Sequence, residues 1–402
     1  MKIVENGGVC TPLGFSSAAV VADIKGNGSG KLDLAVLTSE IPCEVAAVFT
    51  KNRVKAAPII AAMDQLKKVS RFSGIIVNSG NANACTGKQG IEDYKTITNS
   101  FAQKFGHPAD TFLMSSTGVI GVRLPVDKIL KSFDELIDKI DDEDDEFTRA
   151  IMTTDTKPKK LAVLVETSKG VYVIGAAAKG AGMIAPSMAT MLSFITTDVS
   201  IEKDKMQDIL SKVVEKSFNS ITVDGDMSTN DSVFLFSNGL SGIVLTNDEE
   251  IKQFEEALLY ICRYLAKEIV LDGEGATKLV HITVKNAKSS EDAKTCAFKI
   301  ANSPLVKTMF FGSDPNWGRL MASIGASLID INPDTIDIYF NDLKYVENSS
   351  LIDPSLEKNV HNIMLQNEYE IVIDLKLGKG ASSVMTCDFS YDYVKINADY
   401  RS

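Results

Sequence analysis

Hydrophobic positions along the chain follow two spacings, one typical of strands and the other of helices. Short apolar runs rich in β-branched residues predict strands at Gly74–Val77, Leu161–Glu166, Val171–Ala176, Leu279–Val284, Ile336–Phe340, Glu370–Leu377 and Val384–Tyr391. Apolar residues that recur every three or four positions predict helices at Ile91–Phe105, Val126–Ile140, Lys203–Phe218 and Glu249–Val270. Asn247 or Asp248 is the expected N-cap of the last helix.

The predicted elements come in mixed order, without a strict alternation of strand and helix. The strands at 161–166 and 171–176 are joined by the turn sequence TSKG, which predicts an antiparallel hairpin. This order favours an α+β fold, a layered sandwich of mixed sheets flanked by helices, over a doubly wound parallel sheet. The region Pro354–Asn367 predicts a further helical excursion, and a first domain is expected to end near residue 190.

Composition and charge narrow the class of protein. The 402 residues suit two or three domains, and the 45% apolar and 24% charged residues are ordinary for a soluble globular chain. A net charge of −11 disfavours nucleic acid or an anionic membrane as a partner. No run reaches the roughly 18–20 apolar residues of a membrane span, and the N-terminal sequence lacks a signal-like pattern. We therefore expect a cytoplasmic protein without a nucleic-acid or membrane partner.

Cysteine and histidine are poorly placed for a metal site or for histidine-dependent catalysis. The six cysteines are scattered without a CxxC pair, which suggests neither a zinc ribbon nor a disulfide framework. His107, His281 and His361 lie outside polar, glycine-rich clusters and are interpreted as structural or surface residues. The segment DGDMSTND at 224–231 resembles a calcium loop but lacks its Gly and Glu. We expect no metal, and a nucleophile here would need a base other than histidine.

Five segments are dense in Gly, Asn, Thr and Asp but poor in Lys and Glu, so they look less like surface turns than like loops around a pocket. They are Val77–Gly87, Ser115–Gly121, Lys179–Met191, Thr222–Ser232 together with Leu271–Lys278, and Phe311–Arg319. We expect these loops to converge on one binding site, because binding residues are found disproportionately on loops held by a rigid scaffold.

The segment KGAGMIAPSMATMLSF, at 179–194, leads through glycines and a proline to Thr190 and then into an apolar run. A threonine that enters a strand is commonly only a β-former. The chemical alternative is an N-terminal threonine nucleophile, whose own α-amine serves as the base. That alternative requires cleavage of the bond before Thr190, by attack of its Oγ on the Ala189 carbonyl and hydrolysis of the resulting ester.

This segment resembles the cleavage-and-nucleophile motif of the ornithine acetyltransferases (glutamate N-acetyltransferases) of arginine biosynthesis. The resemblance extends over nearly the whole chain through GVCTPLGFSSAAVVADIK, VFTKNRVKAAPI, VNSGNANACTG, SSTGVIG, IMTTDT, NSITVDGDMSTNDSV, DGEGATK, GSDPNWGR and INADYRS, in the family's order. It implies the self-cleaving fold that this family shares with related aminopeptidases. It also implies autocleavage between Ala189 and Thr190, into an α chain of residues 1–189 and a β chain of residues 190–402.

The resemblance also implies roles for individual residues. Thr190 is the implied nucleophile for both cleavage and acetyl transfer, and Thr117 and Gly118 match the family's oxyanion hole. The implied substrate-binding residues are Thr154, Lys179, Thr190, Glu274, Asn397 and Ser402. Ser402 stands where the family often has Thr and keeps the hydroxyl.

The implied activity is transfer of an acetyl group from N2-acetyl-L-ornithine to L-glutamate through an acetyl-Thr190 ester, with ping-pong kinetics. No metal or organic cofactor is implied, but acetyl-CoA as a second acetyl donor stays open, as does feedback inhibition. The family suggests an assembly of two α and two β chains. Two alternatives also stay open: a self-cleaving amidohydrolase or aminopeptidase, in which water resolves the acyl-enzyme, and a binding protein that keeps only the fold.

Overall fold

The computed structural model describes residues 1–185 and 191–399, which form sixteen strands and twelve helices. The strands are β1 Lys2–Val4, β2 Phe15–Val20, β3 Leu34–Phe49, β4 Phe72–Asn78, β5 Phe112–Ser116, β6 Lys159–Thr167, β7 Gly170–Lys179, β8 Leu192–Thr197, β9 Ile221–Thr222, β10 Ser232–Ser237, β11 Leu279–Ala287, β12 Asp337–Phe340, β13 Leu343–Glu347, β14 Ser350–Leu351, β15 Glu368–Asp374 and β16 Gly380–Cys387. The helices are α1 Ala57–Lys68, α2 Gly87–Lys104, α3 Val126–Lys131, α4 Phe133–Asp138, α5 Asp145–Ala150, α6 Lys203–Glu215, α7 Asp248–Leu271, α8 Ser290–Ala301, α9 Pro304–Gly312, α10 Trp317–Gly325, α11 Glu357–Met364 and α12 Tyr391–Asp399.

Each predicted strand is present, and the hairpin of β6 and β7 is confirmed, but one predicted helix is divided and several elements end earlier than predicted, among them α6, which ends at Glu215. The helix predicted over 126–140 is two short helices that meet at Ser132, whose hydroxyl donates to the Lys128 carbonyl and so competes with the helix backbone. The strand predicted to reach residue 377 ends at Asp374, because Lys376 takes a left-handed φ of 54°. The strand predicted to reach Tyr391 ends at Cys387.

Strand β3 is sixteen residues long and bends in the middle, which gives the first sheet its shape. Its first part, 34–39, pairs with β2 and β4, and its last part, 44–49, pairs with β10. The register shifts between these parts, near the exposed residues 40–42. Eight of the nine strands follow the order β1-β6-β7-β8-β10-β3-β4-β5, and the ninth, β2, also pairs with β3. Because β3 bends, the sheet folds into two halves that stack on each other.

The alternation of side chains along the strands shows how the two halves stack. Ile75 of β4 and Phe194 of β8 belong to one buried cluster, so these side chains point into the space between the halves. Their neighbours point outward: Ile76 packs in a cluster with α2, and Ile195 packs in a cluster with α6 and α7. The result is a helix–sheet–sheet–helix sandwich, which confirms the predicted layered α+β class.

The second sheet has seven strands in the order β14-β13-β12-β15-β11-β16-β9 and carries its own buried cluster. Helices α8, α9, α10 and α11 supply that cluster with apolar side chains. The helical excursion predicted for 354–367 is confirmed as a short 3-10 turn followed by α11.

Helix α7 links the two sheets. Its apolar stripe packs with α6 and with Leu279 of β11 and Cys387 of β16 in one cluster. Its N-terminus is capped by Asn247, whose side chain accepts the Glu250 N–H, as predicted. Although α7 has 24 residues, no helix within 1–185 or 191–399 is long and apolar enough to cross a membrane.

Strands from both sides of residue 190 share the first sheet. Strand β8 pairs antiparallel with β7 and parallel with β10, so it lies between a strand of the predicted α chain and one of the predicted β chain. The boundary near 190 is therefore not a boundary between two sheets.

Candidate active site

Three strand ends meet at one edge of the first sheet. Because β7 runs antiparallel to β8 and β8 runs parallel to β10, the end of β7 lies beside the starts of the other two strands. Lys179 closes β7 and pairs with Leu192, while Met191 and Asp231 stand directly before β8 and β10. The Met191 N–H donates to Asp231 Oδ1 at 3.1 Å. This edge carries the segment in which the sequence predicts the nucleophile.

The other half of the sandwich brings the predicted oxyanion hole to the same place. Strands β4 and β5 are parallel, so their C-terminal ends lie together, and the Thr117 N–H donates to the Asn78 carbonyl at 3.0 Å. Gly118 has a φ of 130°, and a Cβ there would lie 2.3 Å from the carbonyl carbon of Gly80. Only glycine fits this position, and both Thr117 and Gly118 line the cavity described below.

Asn230 ties the two halves of the sandwich together beside this loop. Its side-chain amide donates to the Ala82 carbonyl at 2.6 Å and to the Ser116 carbonyl at 2.8 Å. Asn230 is buried, and the segment before β10 is thus fixed to the ends of β4 and β5. The walls of the cavity are therefore held by hydrogen bonds between elements that are distant in sequence.

These elements line a small cleft with a cavity volume of about 70 Å³. Its described lining residues are Ala82, Thr117, Gly118, Ile120, Thr153, Thr154, Lys179, Gly182, Met183, Ser228, Thr229, Asn230, Glu274 and Asn397. Six predicted site residues are among them: Thr117, Gly118, Thr154, Lys179, Glu274 and Asn397. The predicted Ala189, Thr190 and Ser402 lie outside the described residues.

Four of the five polar clusters contribute to this lining, as the sequence predicts. The fifth, Phe311–Arg319, does not line the described part of the cleft. Its polar residues instead serve the ends of two helices, since Ser313 is the C-cap of α9 and the Asn316 side chain accepts the Arg319 N–H at the start of α10. The described lining does not confirm the prediction for this segment, because capping sequences share the composition of binding loops.

Lys179 lies in the cleft wall with 1% of its surface exposed. Its Nζ donates to Thr153 Oγ1 at 2.8 Å and lies 3.5 Å from Thr117 Oγ1 and 3.6 Å from Asp155 Oδ2. Burial lowers the pKa of the Lys179 ammonium, and the Asp155 carboxylate opposes this effect. A buried cation is thus placed beside the predicted oxyanion hole.

Asp155 is the centre of a buried chain of alternating charges. Its Oδ1 accepts from Lys159 Nζ at 2.8 Å and from the Gly180 N–H at 2.6 Å, and Lys159 Nζ also donates to Asp272 Oδ2 at 2.5 Å. Burial alone would raise the pKa of the Asp155 carboxyl, but attraction to Lys179 and Lys159 outweighs it and holds the pKa well below its usual value. The chain therefore keeps opposite charges in contact from Lys179 to Asp272.

Glu274, two residues after Asp272, also lines the cleft. Its backbone N–H donates to the Ala181 carbonyl at 2.9 Å, and its Oε2 accepts from Asn397 Nδ2 at 2.9 Å. A Cβ on Gly182 would lie 2.4 Å from Oε2 of Glu274, so this glycine lets the carboxylate approach the loop after β7. The cleft thus presents a buried cation and a carboxylate to the same space.

The comparisons with known proteins agree with one family. The family model described as "ArgJ family" matches residues 16–402. The chain belongs to the ArgJ family.

Relatives of this ArgJ-family chain are similar along its whole length. It is 44% identical over 412 residues to a glutamate N-acetyltransferase of Methanocaldococcus jannaschii, with 100% of both chains covered. It is 44% identical over 393 residues to an arginine biosynthesis bifunctional protein ArgJ of Geobacter sulfurreducens, covering 97% of this chain and 99% of the relative. The crystal structure of an ArgJ protein from Bacillus halodurans matches with 40% identity and a TM-score of 0.50, covering 52% of this chain and 100% of that one.

Several residues of the ArgJ-family cleft were not singled out from the sequence. Thr153 and Asp155 flank the predicted Thr154 and contact Lys179, while Thr154 lines the cleft between them. Ser228 and Asn230 lie within a polar cluster that was recognised only as a segment. One sequence signal was available for Asp155, which lies shortly before the apolar strand β6. An aspartate that is buried there needs a partner of opposite charge, because buried Asp residues are almost always paired.

Asp224 holds the loop that leads toward the predicted cleavage bond. Its Oδ2 accepts the Met183 N–H at 2.6 Å, and its Oδ1 accepts the Ile184 N–H at 2.8 Å. Burial raises the pKa of this carboxyl from 3.8 to about 6, although these hydrogen bonds favour the charged form.

We expect Asp224 to make the free energy of unfolding fall as the pH rises from about 4 to about 6. In that range the native state keeps a proton that the unfolded state has lost, so this part of the stability, about 3 kcal/mol for two pKa units, disappears with rising pH. Asp224→Asn cannot titrate, so the difference between wild type and variant isolates this slope. Urea unfolding across this range measures it, and a difference that is constant with pH would contradict the expectation.

Proposed function

We propose that this chain is a glutamate N-acetyltransferase of arginine biosynthesis that takes its acetyl group from N2-acetyl-L-ornithine. The observation that carries the proposal is the convergence of six predicted site residues, from both sides of residue 190, on one cleft. The 44% identity to a glutamate N-acetyltransferase over the full length of both chains supports the same activity.

The charges of the cleft suit the donor substrate. Acetylornithine has an α-carboxylate, an acetamide and a distal ammonium group. Lys179 is proposed to bind the carboxylate and Glu274 the ammonium, because charge-assisted hydrogen bonds are the strong ones in a site shielded from water. Glutamate also carries an α-carboxylate, so the same lysine would serve both substrates. Thr154, Asn397 and Ser402 are proposed to complete the binding site.

The proposed chemistry runs through one covalent intermediate. Thr190 Oγ attacks the acetamide carbon while its α-amine takes the hydroxyl proton, and the carbonyl oxygen becomes an oxyanion. Thr117 and Gly118 would stabilise that oxyanion, an effect worth about 3–4 kcal/mol for each donor. Ornithine leaves with the proton, and the acetyl-Thr190 ester is then attacked by the glutamate amine. No metal or organic cofactor takes part in this scheme.

The proposal includes autocleavage between Ala189 and Thr190, since the amine base exists only in the cut chain. The match to the Bacillus halodurans structure supports it, because 100% of that solved chain corresponds to only 52% of this one. Residues 190–402 are 213 of the 402 residues, about 53% by this count, which is close to that share. We further propose that two α and two β chains assemble in the cytoplasm.

A kinetic assay and a denaturing gel of the purified wild-type protein test the proposal. Acetylornithine and glutamate should give ornithine and acetylglutamate, with the parallel double-reciprocal lines of ping-pong kinetics. The gel should show two bands that sum to 43.5 kDa, one of which begins with TMLSF. Release of acetate without formation of acetylglutamate would instead identify a hydrolase. A single uncut band on the gel would argue against Thr190 as the nucleophile. Replacing acetylornithine by acetyl-CoA tests the second donor.

A further inference from the structure

The side-chain amide of Asn230 meets two backbone carbonyl groups at once. Asn230 stands two residues before β10, has 4% of its surface exposed and lines the cleft. Its Nδ2 lies 2.6 Å from the Ala82 carbonyl oxygen and 2.8 Å from the Ser116 carbonyl oxygen, and its Oδ1 accepts from the Thr229 hydroxyl at 2.6 Å. A carbonyl oxygen can only accept a hydrogen bond, so both amide hydrogens are used. The position therefore requires a primary amide, with two hydrogens on its nitrogen and an acceptor oxygen.

The two carbonyls belong to the two loop segments that form one wall of the cleft. Ser116 closes β5 directly before Thr117, and Ala82 follows the end of β4 by four residues. The segments also bind each other, since the Ala82 N–H donates to the Val119 carbonyl at 2.9 Å. One amide thus fixes both segments relative to the start of β10.

The peptide group between Ser116 and Thr117 is held at both ends. Its carbonyl accepts from Asn230, and its N–H donates to the Asn78 carbonyl at 3.0 Å. Because a peptide group is planar, these two bonds set the orientation of the whole group. The next backbone group is the peptide between Thr117 and Gly118, the two residues proposed to stabilise the oxyanion. The orientation of that peptide therefore depends on Asn230.

We propose that Asn230 is a positioning residue for acetyl transfer, which holds Thr117 and Gly118 in the orientation that stabilises the oxyanion. This inference rests on the proposed function. Donors stabilise an oxyanion only when they are held in place beforehand, and a displacement of about 1 Å can lower the rate on the order of 100-fold. Asn230 would therefore act on the transition state, whereas Lys179 and Glu274 are proposed to bind the substrate in its ground state.

Asn230→Asp and Asn230→Ala test the proposal. Asp has nearly the shape of Asn but turns a carboxylate oxygen toward the two carbonyl oxygens, whereas Ala removes both donors without adding a charge. We expect kcat to fall on the order of 100-fold in Asn230→Asp and about 10-fold in Asn230→Ala, with the KM for acetylornithine and for glutamate within about threefold of wild type. Both variants should still be cut, because the single turnover of cleavage during expression tolerates a step slowed this much. A denaturing gel measures the cut fraction, and kcat is expressed per mole of cut chain.

Asn238→Asp and Asn238→Ala are the matched controls. Asn238 follows the opposite end of β10, is also buried, and donates to the Leu13 carbonyl at 2.8 Å and to the Ser39 hydroxyl at 3.2 Å. Neither partner lines the described part of the cleft. These variants should lose stability in thermal unfolding as the Asn230 variants do, but keep kcat within about threefold of wild type.

Three results would overturn the proposal: a raised KM with unchanged kcat in the Asn230 variants, the same loss of kcat in the Asn238 variants, or an Asn230→Ala chain that stays uncut. If Asn230→Asp does not fold, the neutral Asn230→Ala variant decides between these outcomes. A failure of the proposed function is distinct, because wild type itself would then form no acetylglutamate.

Discussion

Thr190→Ala is expected to give a single uncut chain of 43.5 kDa that forms no acetylglutamate. Without the hydroxyl there is no attack on the Ala189 carbonyl, hence no cleavage and no free α-amine. Acetyl transfer would lose nucleophile and base together, and such groups act as a unit, so a fall in kcat of on the order of 10⁴-fold or more is expected. A denaturing gel and an acetylornithine assay measure both effects.

Two further variants make this experiment specific. Thr190→Ser keeps a hydroxyl and should restore both cleavage and part of the activity. Thr197→Ala, near the far end of β8, removes a buried hydroxyl that donates to the Val173 carbonyl at 2.8 Å. It should cost about 1 kcal/mol of stability and leave cleavage intact. Cleavage of Thr190→Ala, or loss of cleavage in Thr197→Ala, would argue against Thr190 as the nucleophile.

Asp155→Asn is expected to cause the largest combined loss of stability and substrate binding. The amide leaves Lys179 buried beside Lys159 without its carboxylate, and breaking a buried ion pair in this way costs about 3–5 kcal/mol. The pKa of Lys179, already lowered by burial, should fall further, so the lysine loses its charge and its hold on the substrate carboxylate. The KM for acetylornithine and for glutamate should each rise about 10- to 100-fold.

Urea unfolding and steady-state kinetics measure these two losses separately. Asp64→Asn is the control, since Asp64 forms an exposed ion pair with Lys68 at 2.6 Å and should change the stability by less than about 1 kcal/mol. A stable Asp155→Asn enzyme with unchanged KM values would show that Lys179 does not need this carboxylate. Unchanged KM values with lost stability would limit Asp155 to a structural role.

The sequence correctly predicts structural features that depend only on residues close together in the chain. The hairpin of β6 and β7 and the cap at Asn247 follow from spacing over a few positions, and both are present. Strand β3 was not predicted at all, because the polar interruption near Pro42 divides its apolar residues, whereas in the fold one strand continues through it into the other half of the sandwich. Helix α12 was missed because its nine residues bury no side chain, so they lack an apolar stripe.

The cleft was predictable as a set of loops but not as a set of contacts. Glycines and small polar residues mark the loops along the sequence. In the chain of charges from Lys179 to Asp272, only Asp155 and Lys159 are close in sequence, and no local spacing connects this pair to Lys179 or to Asp272. Asp231 stood inside a recognised polar cluster, but its hydrogen bond with the Met191 N–H depends on which strands are neighbours, which only the folded sheet reveals.

The pairing of β7 with β8 has a consequence for how the mature protein assembles. The two strands are hydrogen-bonded side by side from Lys179 and Leu192 to Ile174 and Thr197. If the bond before Thr190 is cut as proposed, these strands belong to different molecules, although the sheet still holds them together. Folding of the precursor is a first-order reaction, whereas renaturation of the cut enzyme becomes second-order, with a yield that falls on dilution. An enzyme cut in this way would be made by a reaction of one molecule but, after complete unfolding, regained only through an encounter of two.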